Sequence, residues 1–127
     1  MNTHTGLRNV SISERTKISD AIKAHFAEHR IEALAFPPAM IPAHEIGENG
    51  SVTVRGQLVS GTTTMGRNVA PGSCASLASL VVPAGLTRAG LPVGLEFDAL
   101  PGTDRRLIAV GLAVERALGS IPAPQLG

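Results

Sequence analysis

The sequence has no tryptophan and no tyrosine, and only three phenylalanines, Phe26, Phe36 and Phe97, stand among its 127 residues. Any core must therefore be built from Leu, Val, Ile and Ala, and the stacking platforms that bind single-stranded nucleic acid are missing. A single cysteine, Cys74, excludes an internal disulfide and fits a reducing cytoplasm. Charge of one sign is not concentrated anywhere: 11 basic and 10 acidic residues alternate along the chain to a net charge of +1. Neither nucleic acid nor an anionic membrane is implied as a partner. No apolar run, Leu80 to Ala84 included, approaches the roughly 20 residues needed to span a bilayer. The opening MNTHTGLRN has no apolar segment of a secretory signal. A cytoplasmic, soluble domain is the expectation.

What is present suffices for one core. Hydrophobic residues make up 43% of the chain, and its length is that of a single domain. Fourteen glycines and nine prolines separate the apolar segments, as turns do, rather than clustering as in a low-complexity chain. The expected organisation is one domain over residues 12–119 between disordered tails, 1–11 and 120–127.

Ser11 followed by Glu14 reads as a capping box opening a helix from Ile12 to Arg30. Ile18, Ala21, Ile22, His25, Phe26 and His29 share one face of it. Residues 31–36 read as a short strand stopped by Pro37-Pro38. The stretch 39–67 reads as loop, with a turn at Asn49-Gly50 and a ribbon formed by 52–54 and 58–59 around Arg55-Gly56. Thr62-Thr63-Thr64 is either extended or loop. Leu77 to Val82 is a continuous apolar run ending at Pro83, which predicts a strand buried on both faces. In residues 92–97, Val93, Leu95 and Phe97 alternate with polar or small residues, a strand with one apolar face; Glu96 and Asp98 fall on its polar side. The last helix, 104–118, follows Thr103 as N-cap and carries Leu107, Ile108, Gly111, Leu112, Val114 and Leu118 as its apolar stripe, with Gly119 as left-handed C-cap. Gly111 predicts close approach to the sheet.

Together these elements predict an α/β fold: a small mixed sheet from 33–36, 77–82 and 92–97, strands 77–82 and 92–97 antiparallel. The helices 12–30 and 104–118 pack on that sheet, and the 52–59 ribbon projects from it.

Several residues run in a recognisable order: Asn68 and Gly72, then Val82-Pro83-Ala84-Gly85, then Gly90-Leu91-Pro92-Val93-Gly94, continuing into Leu95-Glu96-Phe97-Asp98 and Asp104-Arg105-Arg106-Leu107. This order resembles the C-terminal part of amidase-signature hydrolases, closest to the mandelamide and indoleacetamide hydrolase branch. Upstream, the 15–30 helix, the 33–38 strand and Pro42-Ala43-His44 are similar to the same branch. The chain departs from it at Ser76-Leu77-Ala78, where many members carry Gly-x-Pro. The resemblance implies the fold of that C-terminal part, and a family reaction in which carboxylic amides are hydrolysed to acid and ammonia by a Ser–cis-Ser–Lys triad. The glycine- and serine-rich motif that carries both serines is absent from this sequence. Its only lysines are Lys17 and Lys23 on the first helix, so no catalytic residue transfers. The resemblance instead marks Thr63, Thr64, Arg67 and Asn68 as substrate-pocket candidates, with Ser73 and Cys74 beside them. Against this stands a structural role in which Asn68 and Ser73 merely hold the loop by side-chain to backbone bonds.

Other constellations carry less. His25 and His29 are four apart, but HFAEH lacks the glutamate placement of a zinc motif, and His44 or Glu45 would have to complete the site. Cys74 with His44 as thiol and base lacks a group to orient the histidine; among Ser73, Ala75 and Ser76 the cysteine reads as a small packing residue. The glycines at 85, 90 and 94 match no phosphate loop. No metal or cofactor is implied, and no carboxylate pair for acid/base chemistry. The leading expectation is a C-terminal amidase portion, inactive alone. The alternative is a non-enzymatic binding or assembly module that completes a partner amidase chain or self-associates.

Overall fold

The computed structural model describes residues 12–45 and 50–123. The proposed cap at Ser11, the turn residue Asn49, the tail 1–11 and the end of the other tail lie outside the described residues. The elements are α1 (Ile12–His29), β1 (Leu34–Phe36), β2 (Ser51–Val54), β3 (Gln57–Ser60), α2 (Gly61–Gly66), α3 (Ala70–Ala75), β4 (Ala78–Leu86), β5 (Pro92–Ala99) and α4 (Asp104–Leu118).

The α/β class holds, with β1, β5 and β4 side by side in that order. Both ladders are antiparallel, so this sheet is antiparallel throughout rather than mixed, and β4 and β5 are direct neighbours. The strand period places Leu95, Phe97 and Ala99 on one face beside Val82, Leu80 and Ala78. Helix α4 covers this face, and Val82, Phe97, Ala99 and Leu107 form the core, with Leu80, Leu95, Val110 and Val114 packed around them. Contrary to the expectation of a purely aliphatic core, it takes in one of the three phenylalanines. Gly111 lets the helix settle there, because a Cβ at that position would overlap the end of Leu80. The close approach read from the sequence is thus present.

The structure corrects several local expectations. Strand β4 is not buried on both faces: Val82 is buried while Val81 is 52% exposed. It also runs past Pro83 to Leu86, with a register shift between Pro83 and Gly85. At the sheet edge a proline with no amide to donate is tolerated, so the strand need not stop there. On α4 the inward residues are Leu107, Val110, Gly111 and Val114, at i, i+3, i+4 and i+7, whereas Ile108, Leu112 and Leu118 are exposed. Thr103 does not cap α4 with its side chain; its hydroxyl donates to the Leu100 carbonyl at 2.6 Å. Gly119 ends α4 at φ 74°, ψ −164°, a positive φ outside the left-handed helical region, with its amide bonded to the Glu115 carbonyl.

Helix α1 packs mainly on α3 rather than on the sheet. Of its expected apolar face only Phe26 is buried; Ile18 and Ile22 are half-buried, and Ala21, His25 and His29 are exposed. Arg15 reaches across to α3, its Nε donating to the Cys74 carbonyl at 3.2 Å. Both helices end alike. Arg30 (φ 50°) and Ser76 (φ 57°) are left-handed, and the next residues, Ile31 and Leu77, return their amides to the Phe26 and Gly72 carbonyls at 3.2 and 3.1 Å. This is the Schellman closure, usually made with glycine in the left-handed position. It resolves the path at Ser76-Leu77-Ala78: Ser76 adopts the conformation for which glycine is the ordinary choice.

Candidate binding groove

The ribbon formed by β2 and β3 turns on Arg55 (φ 50°) and Gly56 (φ 78°), a two-residue turn whose positive φ values match the twist of the strands. Leaving the ribbon, Ser60 is extended and caps α2, its side chain accepting from the Thr63 amide. The three threonines left undecided by the sequence are therefore helical. Thr64 is 6% exposed, and its hydroxyl donates to the Ser60 carbonyl at 2.7 Å. That bond absorbs its polar atom, so Thr64 contributes shape to its surroundings more than a free hydroxyl.

Residues 67–69 lead directly from α2 into α3. Asn68 ties this link to the segment after β1 by donating from Nδ2 to the Pro37 carbonyl at 2.8 Å. Between the ribbon, α2 and the 37–40 segment lies a groove of about 900 Å³. Val54, Arg55, Gln57 and Val59 line it from the ribbon, Ser60, Thr63, Thr64, Arg67 and Asn68 from α2 and its exit, and Pro37, Ala39 and Met40 from the third side. Two arginines and no carboxylate stand among these lining residues. Guanidinium groups recognise acceptors with planar, forked geometry.

The six residues singled out in the sequence are thus divided. Thr63, Thr64, Arg67 and Asn68 share the groove. Ser73 and Cys74 belong to α3; Ser73 is exposed, and Cys74 lines a separate depression against Arg15, Ser19 and Lys23 of α1. The structural role weighed for Asn68 is real, since its side chain does hold the backbone, and it lines the groove at the same time. The His25 and His29 rings meet at a tilt of 58° with centroids 4.4 Å apart on the exposed side of α1. Among the described residues no group of three or more His, Cys, Asp and Glu is placed to hold a metal.

One cluster lies where the sequence pattern does not place it. Glu96 and Asp98 are not on a solvated strand face; they are 5% and 2% exposed. Asp98 Oδ1 accepts from Ser79 Oγ at 2.6 Å. Burial pushes the Glu96 carboxyl above its ordinary range, and the Asp98 charge and a hydrogen bond to Asp98 push it the same way. Alternation along β5 marked this face as polar. The glycine at 72 was the available sign that another backbone comes down onto it, for a Cβ there would overlap Asp98 Oδ2.

Among the described residues no helix is long and apolar enough to cross a membrane. Comparison with known proteins gives a consistent result. The family model described as Amidase matches residues 2–108. Indoleacetamide hydrolase of Agrobacterium vitis is 42% identical over 106 residues, 84% of this chain and 23% of that protein. Mandelamide hydrolase of Pseudomonas putida is 34% identical over 111 residues, 87% of this chain and 21% of its own length. A solved amidase structure superposes with a TM-score of 0.74 at 24% identity, covering 85% of this chain and 24% of the other.

Proposed function

Because this chain belongs to the amidase family, we propose that its 127 residues form the C-terminal framework and one wall of the substrate cleft of an amidohydrolase. The complete enzyme hydrolyses a carboxylic amide to the acid and ammonia, with the nucleophile and its base supplied by sequence outside these residues. The observation that carries the reading is the groove, which gathers Thr63, Thr64, Arg67 and Asn68 from one short segment. The chain spans 23% and 21% of the two hydrolases it matches. Lys17 and Lys23, the only lysines, are exposed on α1. An activated serine needs a base within hydrogen-bond reach and donors for the oxyanion, and an exposed helical lysine supplies neither.

The test is an amide-hydrolysis assay in two arms, with indoleacetamide and mandelamide as substrates. The pure chain releases no ammonia above background. A hydrolase of this branch whose corresponding C-terminal segment is replaced by these residues does turn over, and Arg67→Ala in that hybrid raises KM more than it lowers kcat. Turnover by the isolated chain would overturn the framework reading.

A second reading, an assembly module, is favoured by one observation. Ile108 and Leu112 are 55% and 49% exposed on the outer side of α4. A helix whose second apolar row faces water is a surface for another protein body, either the remainder of an amidase or a second copy of the chain.

A further inference from the structure

We propose that Asp98 and Glu96 are positioning residues: with Ser79 they hold α3 on the sheet and so fix the link that presents Arg67 and Asn68 to the groove. This rests on reading the groove as a substrate cleft.

The argument begins with register. Asp98 stands between Leu34 and Ser79, and Glu96 between Phe36 and Val81, on the face of the sheet opposite α4. Two carboxyls buried side by side are costly unless each has partners or one keeps its proton. Asp98 has partners in three places. On β4 it accepts from Ser79 Oγ, on its own strand it has the buried Glu96 two residues away on the same face, and its Oδ2 lies against Gly72 of α3.

These contacts bracket the end of α3. Gly72 is the residue whose carbonyl receives the Leu77 amide, and Ser79 lies just beyond the left-handed Ser76. Asp98 therefore meets α3 within the helix and again where the chain leaves it. At the other end α3 begins at Ala70, two residues after Asn68. A shift of α3 on the sheet carries Arg67 and Asn68 with it and strains the Asn68 to Pro37 bond.

The hold depends on one proton. Across the ladders the pair faces Leu34, Phe36, Ser79 and Val81, none of which ionises, and α3 contributes Gly72. The Cys74 side of α3 meets α1, where Arg15 is bonded to the Ser73 and Cys74 carbonyls. Burial and the neighbouring Asp98 both favour the protonated form of Glu96, since losing that proton sets a second negative charge in the same dry place.

Amide hydrogen exchange on the intact chain tests this. The Ser73 and Leu77 amides, bonded to the Val69 and Gly72 carbonyls, report on α3, and the Gly111 amide in α4 serves as internal control. In the unaltered protein the α3 protection, divided by that of Gly111, falls as pH rises through the Glu96 titration. Glu96→Gln makes the ratio independent of pH. Asp98→Asn lowers it by about tenfold or more, as expected when a buried charged hydrogen bond is weakened locally, and shifts the Arg67 and Asn68 cross-peaks. A ratio unchanged in every protein and at every pH would overturn the proposal, as would equal losses at α3 and α4. If Asp98→Asn does not fold, the unaltered protein and Glu96→Gln decide it. Failure of the cleft reading is separate: amide substrates would then leave KM insensitive to Arg67 while the exchange pattern persists.

Discussion

Ser76 holds a left-handed backbone that costs an L-residue roughly 1 kcal/mol. Ser76→Gly is expected to stabilise the chain by about that amount in chemical denaturation. Gly72→Ala is expected to cost roughly 1–3 kcal/mol, because the new methyl meets an Asp98 carboxylate held in place by Ser79. Gly66→Ala is the control. Open space surrounds that position at the end of α2, so the change is neutral or stabilising by up to about 1 kcal/mol. Glu96 sets a pH dependence whose sign is fixed by its raised pKa. Between its ordinary value of 4.5 and the higher folded value, the folded state binds more protons than the unfolded one. Its contribution to stability is therefore greatest at the acid end of that window and is lost as pH rises through the folded value. Denaturation midpoints measured across this range should fall with pH in the unaltered protein and lose this component in Glu96→Gln.

At the scale of elements, legibility followed the strength of the local signal. Helix α4 lies over 104–118, as its stripe and flanking glycine indicated, and the ribbon turns on Arg55-Gly56, where the sequence places it. Helices α2 and α3 were not legible. Each has six residues, too short for a hydrophobic period to show. Their ends are set by Ser60 as a cap and by a left-handed serine in place of a glycine. The candidate groove residues were legible through family resemblance, yet their sharing of one groove was not. It depends on the 37–40 segment and the ribbon closing around α2, contacts between parts of the chain far apart in sequence. The outer row of α4 carries its own prediction. Light scattering should show an apparent mass that rises with concentration, and replacing Ile108 and Leu112 by serine should abolish that rise with little loss of stability, since both side chains are exposed.

For the whole molecule, the architecture is a three-stranded sheet with α4 on one face and α3 over the buried carboxyls on the other, while α1 packs on α3. The outer edge of β4 has no strand partner among the described residues, and Val81 beside it is open to solvent. An exposed strand edge next to apolar side chains is a template for further pairing. That edge is the place where the proposed framework would meet another body.

The sequence by itself determined the family, the α/β class, the antiparallel relation of β4 and β5 and the last helix, because motif order, strand alternation and helical period are properties of neighbouring residues. Only the tertiary structure decided which faces are dry. Glu96 and Asp98 alternate like solvated residues, and Ile108 and Leu112 like buried ones, yet both pairs do the opposite. Burial is fixed by what another part of the chain brings down upon a face, and no local pattern contains that.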